Sequence, residues 1–185
     1  MGFDNAIVID SDVLFLNDFS PSVMFKALSE NYSKKAFYAT KSSDPFLTKI
    51  IDKSSGFIGV NFKNEWGGYL YGWFFDIPYY ERQDFNDMVA HLNTLYADGW
   101  YEHLDWFTFD HLIYQYYLTF KKGWQMMDYS GLSALPPEWL TPSELLAICE
   151  HQNYFPAWIS LKSFFAMPGI KAINGNMQIL YHTDR

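Results

Sequence analysis

The feature that most constrains this chain is an apolar run ending in two acids, Ala6-Ile7-Val8-Ile9-Asp10-Ser11-Asp12, followed at once by a second apolar run, Val13-Leu14-Phe15-Leu16. A β-branched run of this kind reads as a buried strand of parallel type, and the ends of such strands are where α/β sheets carry their sites. Along a strand, residues i and i+2 share a face. Asp10 and Asp12 can therefore turn together toward one cation while Ser11 faces away. Two carboxylates make a hard, all-oxygen donor pair that suits Mg²⁺ or Mn²⁺. A polar turn that closes a core strand is the plain alternative for the same residues.

The rest of the chain mixes the two periodicities. Ser20 and Pro21 predict a helix start, the serine as cap and the proline at the first helical position, leading into Val23-Met24-Phe25-Lys26-Ala27-Leu28. Ala36 to Thr40 and Phe57 to Phe62 read as strands. Phe85, Met88, Val89, Leu92 and Leu95 recur at helical spacing and predict a helix over 84–96. Leu112, Ile113, Tyr116 and Tyr117 do the same over 105–120, with Asp105 or Thr108 near the start. Thr141-Pro142 with Glu144 predicts a short helix over 143–152, and 177–182 reads as a closing strand. Alternating strands and helices point to an α/β architecture. With no internal repeat or low-complexity linker in its 185 residues, the chain reads as a single domain over 1–185.

Between Trp66 and Tyr80 aromatic residues crowd among Gly67, Gly68, Gly72 and Pro78. That glycine and proline content favours a loop or hairpin over a helix. Its rings either pack over the core or stack on sugar rings.

A net charge of −8 argues against nucleic acid, whose binding rests on Lys and Arg displacing counterions. Cys149 is the single cysteine and cannot form an internal bridge, and no Cys/His group has zinc-like spacing. It reads as a small core residue, and the expected compartment is reducing and cytoplasmic. No stretch approaches the roughly 18 uninterrupted apolar residues of a membrane-spanning helix, and no cleavable signal pattern is visible, so no transmembrane segment is expected.

The segment from Ala6 to Asp18 resembles the strand and Asp-x-Asp motif of GT-A fold glycosyltransferases, and is most similar to glycosyltransferase family 8. Three later stretches follow in the family's order. Ser54-Ser55-Gly56-Phe57-Ile58-Gly59-Val60-Asn61 is similar to its Asn-Ser/Ala-Gly-apolar-Asn strand, with Ser54 in place of Asn. Asp110-His111 stands where the family often has Asp-Gln at a helix start. Gln178-Ile179-Leu180-Tyr181-His182 resembles the late strand whose histidine is a third metal ligand.

The resemblance implies a GT-A type, Rossmann-like nucleotide-diphospho-sugar transferase fold that uses Mn²⁺ or Mg²⁺, with a nucleoside diphosphate sugar as donor and a glycan or other hydroxyl acceptor. It implies metal ligation by Asp10, Asp12 and His182, and donor binding by Asp10, Ser11, Asp12, Gly56 and Asn61. Asp110 would orient the reacting sugar or acceptor, with Asp105 or Glu102 as alternative acids for proton abstraction. The family's nucleotide-binding half precedes the acid motif, whereas only Met1 to Asn5 precede the strand here. The expected piece is the carboxyl-side portion of the fold.

Two other classes stay open on the residues alone. A phosphatase of the haloacid dehalogenase type also ends a strand in Asp-x-Asp, but carries Thr or Val where Leu14 stands. A non-catalytic carbohydrate-binding domain would rest on the aromatic stretch between Trp66 and Tyr80.

Overall fold

The computed structural model describes residues 3–8, 13–15, 20–41, 44–62, 70–71, 79–128, 155–157 and 179–182. In chain order its elements are β1 (Asn5–Ile7), β2 (Val13–Phe15), α1 (Pro21–Ser33), β3 (Ala36–Lys41), α2 (Pro45–Phe57), β4 (Leu70–Tyr71), β5 (Tyr79–Glu81) and α3 (Arg82–Leu95). A 3₁₀ turn (Trp100–His103), α4 (Asp110–Lys122), β6 (Gln125–Asp128), β7 (Phe155–Ala157) and β8 (Ile179–His182) complete the order. The architecture is a mixture of helices and small sheets of α/β character.

The chain divides into two compact units. One comprises Met1–Ala6, Ala36–Trp73 and Tyr80–Ser130, the other Ile7–Lys35, Phe74–Tyr79 and Gly131–Arg185.

In the first unit β3 lies between β4 and β6. β3 and β6 run parallel, with Ala36 opposite Gln125 and Ala39 opposite Asp128. β4 runs antiparallel, with Thr40 opposite Tyr71. A parallel pair needs a long crossover, and here it carries α2, α3 and α4. α2 starts where the Asp44 carboxylate accepts the Phe46 N–H at 2.8 Å and the Leu47 N–H at 3.0 Å, with Pro45 in the first turn. It buries Ile50, Ile51, Ser54, Ser55 and Phe57, and the chain turns away at Gly59, whose φ of +72° suits glycine.

α4 is enclosed from His111 to Thr119. It stops at left-handed Gly123, and the Trp124 N–H closes the end on the Leu118 carbonyl at 3.1 Å. Among the described residues of this unit, Ile50, Ile51, Ile58, Phe62, Leu92, Leu112, Tyr114, Tyr116 and Leu118 are the most deeply buried large side chains. Phe62 meets Tyr116 at 4.9 Å between ring centroids.

β1 and β5 form a two-stranded sheet. Beside it the Arg82 N–H donates to the Asp4 carbonyl at 2.9 Å, and the two side chains form an ion pair at 3.3 Å.

In the second unit, α1 begins at Pro21, with the Met24 N–H donating to the Ser20 carbonyl at 3.0 Å. It buries Met24, Leu28 and Tyr32, spaced four apart on one face. Tyr32 meets Tyr79 edge-on at 5.3 Å. β8 pairs with β2 on one side and β7 on the other. The β2 pairing is antiparallel, with Val13 opposite His182, Leu14 opposite Tyr181 and Phe15 opposite Leu180. β7 runs parallel to β8. Among the described residues β7, which carries Pro156, is an edge strand, the place where a sheet tolerates proline.

Several sequence expectations change here. The apolar run before the acids is a short strand with Ala6 and Ile7 half-buried, and Val8 beyond it is 45% exposed. The run Phe57 to Phe62 is not a strand. Phe57 ends α2, Ile58 and Gly59 turn, and Val60 and Asn61 are irregular. The reason is local, because Asp44-Pro45 nucleates a helix whose apolar face continues through Phe57, and the β-branched residues that resemble a strand are split by the turn at Gly59. The helix expected over 105–120 is α4, which begins at Asp110, and Asp105 to Thr108 form the turn before it. The predicted helix over 143–152, Cys149, and nearly all of the aromatic stretch lie outside the described residues. Among the described residues no helix is long and apolar enough to cross a membrane.

Candidate functional site

The residues singled out from the sequence fall in both units. Asp10, Ser11 and Asp12 lie outside the described residues, between β1 and β2. His182 ends β8, and its backbone pairs with that of Val13, the residue that follows Asp12. Among the described residues no group of three or more His, Cys, Asp or Glu side chains is gathered closely enough to hold a metal ion.

Gly56 and Asn61, expected on a strand, are respectively in the last turn of α2 and just beyond it, both exposed. A Cβ at Gly56 would meet nothing within 4 Å, so no close approach demands glycine there.

Asp105 and Asp110 take different roles. The Asp105 carboxylate accepts the Phe107 N–H at 2.7 Å and pairs with the Lys53 ammonium at 3.1 Å. These contacts, the backbone N–H first, hold its carboxyl below the ordinary range. Its backbone N–H donates to Thr108 Oγ1 at 2.8 Å, and the Thr108 hydroxyl donates back to the Asp105 carbonyl at 2.7 Å. Asp105 thus serves the turn that leads into α4. Asp110 stands exposed at the first position of α4. The Tyr80 hydroxyl donates to its Oδ2 at 3.4 Å.

Tyr80, read from the sequence only as the end of the aromatic stretch, stands beside Asp110. Its ring lies 4.8 Å from Tyr114 and 5.9 Å from Phe85, centroid to centroid. Burial, reinforced by the Asp110 charge, pushes its hydroxyl well above the ordinary phenol range, so it stays a proton donor. The Tyr114 hydroxyl accepts the Glu81 N–H at 3.2 Å. Burial and the neighbouring Asp84 raise the Glu81 carboxyl.

Behind Asp110, α4 carries a buried polar stripe of His111, Gln115 and Thr119, which are 7%, 1% and 6% exposed. Gln115 Nε2 and His111 Nε2 are 3.0 Å apart, which fits the amide donating to an unprotonated ring nitrogen. Burial drives the His111 pKa down to about 4, against a weaker opposing pull from Asp110. The i, i+4, i+8 spacing was visible in the sequence as a polar line on an aromatic helix.

Comparison with family models, with curated proteins and with solved structures found no match to this chain.

Proposed function

We propose that the chain is a metal-dependent glycosyltransferase of GT-A type, moving a hexose from a nucleoside diphosphate sugar to a hydroxyl on a glycan, lipid-linked saccharide or protein. The observation that carries this reading is the register of β2 on β8. Val13 stands opposite His182, so the histidine that ends the last strand and the strand that follows the acid motif are backbone neighbours although they are far apart in sequence. Two carboxylates and an imidazole suit Mn²⁺ or Mg²⁺ and leave coordination positions for phosphate oxygens. Asp10, Asp12 and His182 would hold the ion. It would supply Lewis acidity to the departing diphosphate.

Asp110 is better suited than Asp105 to meet a sugar or acceptor hydroxyl. Asp105 already serves Lys53 and the Phe107 N–H, whereas Asp110 is exposed and oriented by the Tyr80 hydroxyl. The resemblance would give Asp110 the role of accepting a hydrogen bond from a hydroxyl and orienting it.

Calorimetric titration with Mn²⁺, followed by uridine and guanosine diphosphate sugars, tests the reading on the parent chain and on Asp10→Ala, Asp12→Ala and His182→Ala. The expected result is Mn²⁺ binding weakened in all three variants and donor binding that requires the metal. An Asp10→Ala chain that binds Mn²⁺ and donor like the parent overturns it.

A further inference from the structure

Ser54 and Ser55 are adjacent serines of α2, 0% and 1% exposed, and their hydroxyls go to different places. The Ser55 hydroxyl donates to the Asp52 carbonyl at 3.3 Å, inside its own helix. The Ser54 hydroxyl leaves α2. It accepts the Phe109 N–H at 3.1 Å and donates to the Phe107 carbonyl at 3.4 Å, so one buried group clasps the chain on its way into α4. Both its donor and its acceptor capacity are used there.

The start of α4 takes this support from outside the helix. Its N-cap is Phe109, whose side chain has no oxygen to offer the first N–H groups. In a capping box a Glu or Gln at the third helical position accepts the N–H of the N-cap residue, but here that position holds Leu112. Ser54 supplies the acceptor from α2 instead. The Phe109 carbonyl accepts the Ile113 N–H at 2.9 Å, so both backbone polar groups of the residue before Asp110 are engaged.

Asp110 follows directly, and its partner Tyr80 is tied to a later part of the same helix. The Tyr114 hydroxyl, one turn along α4, accepts the N–H of Glu81, the residue after Tyr80. The Tyr80 and Tyr114 rings lie 4.8 Å apart. Tyr80 is thus registered on the second turn of α4 and Asp110 on the first. The 3.4 Å contact from the Tyr80 hydroxyl to Asp110 Oδ2 joins the two anchorages. A hydrogen bond already that long does not survive a further shift of a few tenths of an ångström.

We propose that Ser54 is a positioning residue for Asp110: its hydroxyl sets where α4 begins and thereby holds the Asp110 carboxylate against the Tyr80 hydroxyl. The task of the pair rests on the transferase reading, in which Asp110 orients a hydroxyl. The coupling of Ser54 to the pair does not.

The test uses the full chain, without metal or donor, and has two readouts. One is the NMR signal of the Tyr80 ring carbon that bears the hydroxyl, in protein labelled with ¹³C at that atom of its tyrosines and identified as the signal missing from Tyr80→Phe. The other is hydrogen exchange of the Phe109 amide. Asp110→Ala gives the position of the Tyr80 signal with no carboxylate beside it. Ser54→Ala should speed Phe109 exchange about tenfold and move the Tyr80 signal most of the way to that position. Ser54→Cys, close in size but a weak acceptor, should move both the same way by less, and it keeps the test readable if the alanine variant does not fold. Ser55→Ala removes an equally buried hydroxyl that stays within α2, and should leave both readouts where they are. The proposal is overturned if the Tyr80 signal stays in place in the Ser54 variants, even with faster Phe109 exchange. It is equally overturned if Ser55→Ala moves the signal as far, or if Asp110→Ala does not move it at all. Neither readout involves Mn²⁺ or donor, so a chain that fails the calorimetric titration can still show this coupling, and one that passes can still lack it.

Discussion

Helices α3 and α4 are neighbours of nearly equal length with opposite surroundings. α3 buries only Met88 and Leu92, leaving Phe85 and Leu95 at 39% and 44% exposure. α4 buries every residue from His111 to Thr119. A one-sided helix is written in the sequence as an apolar stripe. A helix enclosed on all sides should be apolar all round, yet α4 carries His111, Gln115 and Thr119 along one line. The difference teaches where polar groups have been retained against a desolvation cost, and it makes α4 the structural centre of the unit to which Asp110 belongs.

The sharpest way to break that contrast is to truncate one residue on each helix. Leu112 is fully buried, so Leu112→Ala should cost about 2–5 kcal/mol. Phe85→Ala on α3 should cost about 1 kcal/mol, since its ring is partly solvated, meets Tyr80 edge-on and lies tilted to Tyr114. Urea unfolding followed by circular dichroism measures both, and equal costs would mean that α4 is no more enclosed than α3.

The polar stripe gives a second, pH-dependent contrast. His111 has a folded pKa of about 4 against 6.5 for a free imidazole. The unfolded chain therefore binds the extra proton between those values. Stability contributed by keeping His111 neutral is fully present above pH 6.5, falls as pH falls through that window, and is gone below pH 4. The lowered pKa corresponds to about 3 kcal/mol. His111→Leu should flatten the unfolding profile between pH 6.5 and 4. A parent profile that is already flat in this window would show that His111 is not held neutral.

How far the fold was readable depended on whether a signal was local. Ser20-Pro21 announced α1, and the stripe from Phe85 to Leu95 announced α3, within a residue or two. Asp44-Pro45 is the same kind of signal as Ser20-Pro21, yet α2 went unread. Phe57, Ile58, Val60 and Phe62 looked like a strand, and only the helix ahead of them and the left-handed turn at Gly59 reassign them. The enclosure of α4 could not be read from its sequence, because it is set by α2, α3 and the residues around them. At the candidate site, His182 and its strand were legible as a pattern, but its pairing with Val13 is a long-range register. The anchoring of Asp110 was hidden for the same reason, since the contacts that hold the turn before it come from Lys49, Lys53 and Ser54, about fifty residues earlier.

The smallest expected effect concerns the fastening between the two helices. Lys122, in the last turn of α4, lies 3.2 Å from Asp84 in the first turn of α3 and hydrogen-bonds Asp87 one turn on. Each charge suits its own helix end, and the hydrogen bond from Lys122 holds the Asp87 carboxyl below its ordinary range while Asp87 and Asp84 raise the ammonium. All three side chains keep contact with water, so screening limits their value. Lys122→Met should lower Tm by no more than about 3 °C in dilute buffer, and about 1 M salt should erase most of the difference. A loss as large as that of Leu112→Ala, and insensitive to salt, would mean that the pair is shielded from solvent and that α3 owes its position to this contact more than to Met88 and Leu92.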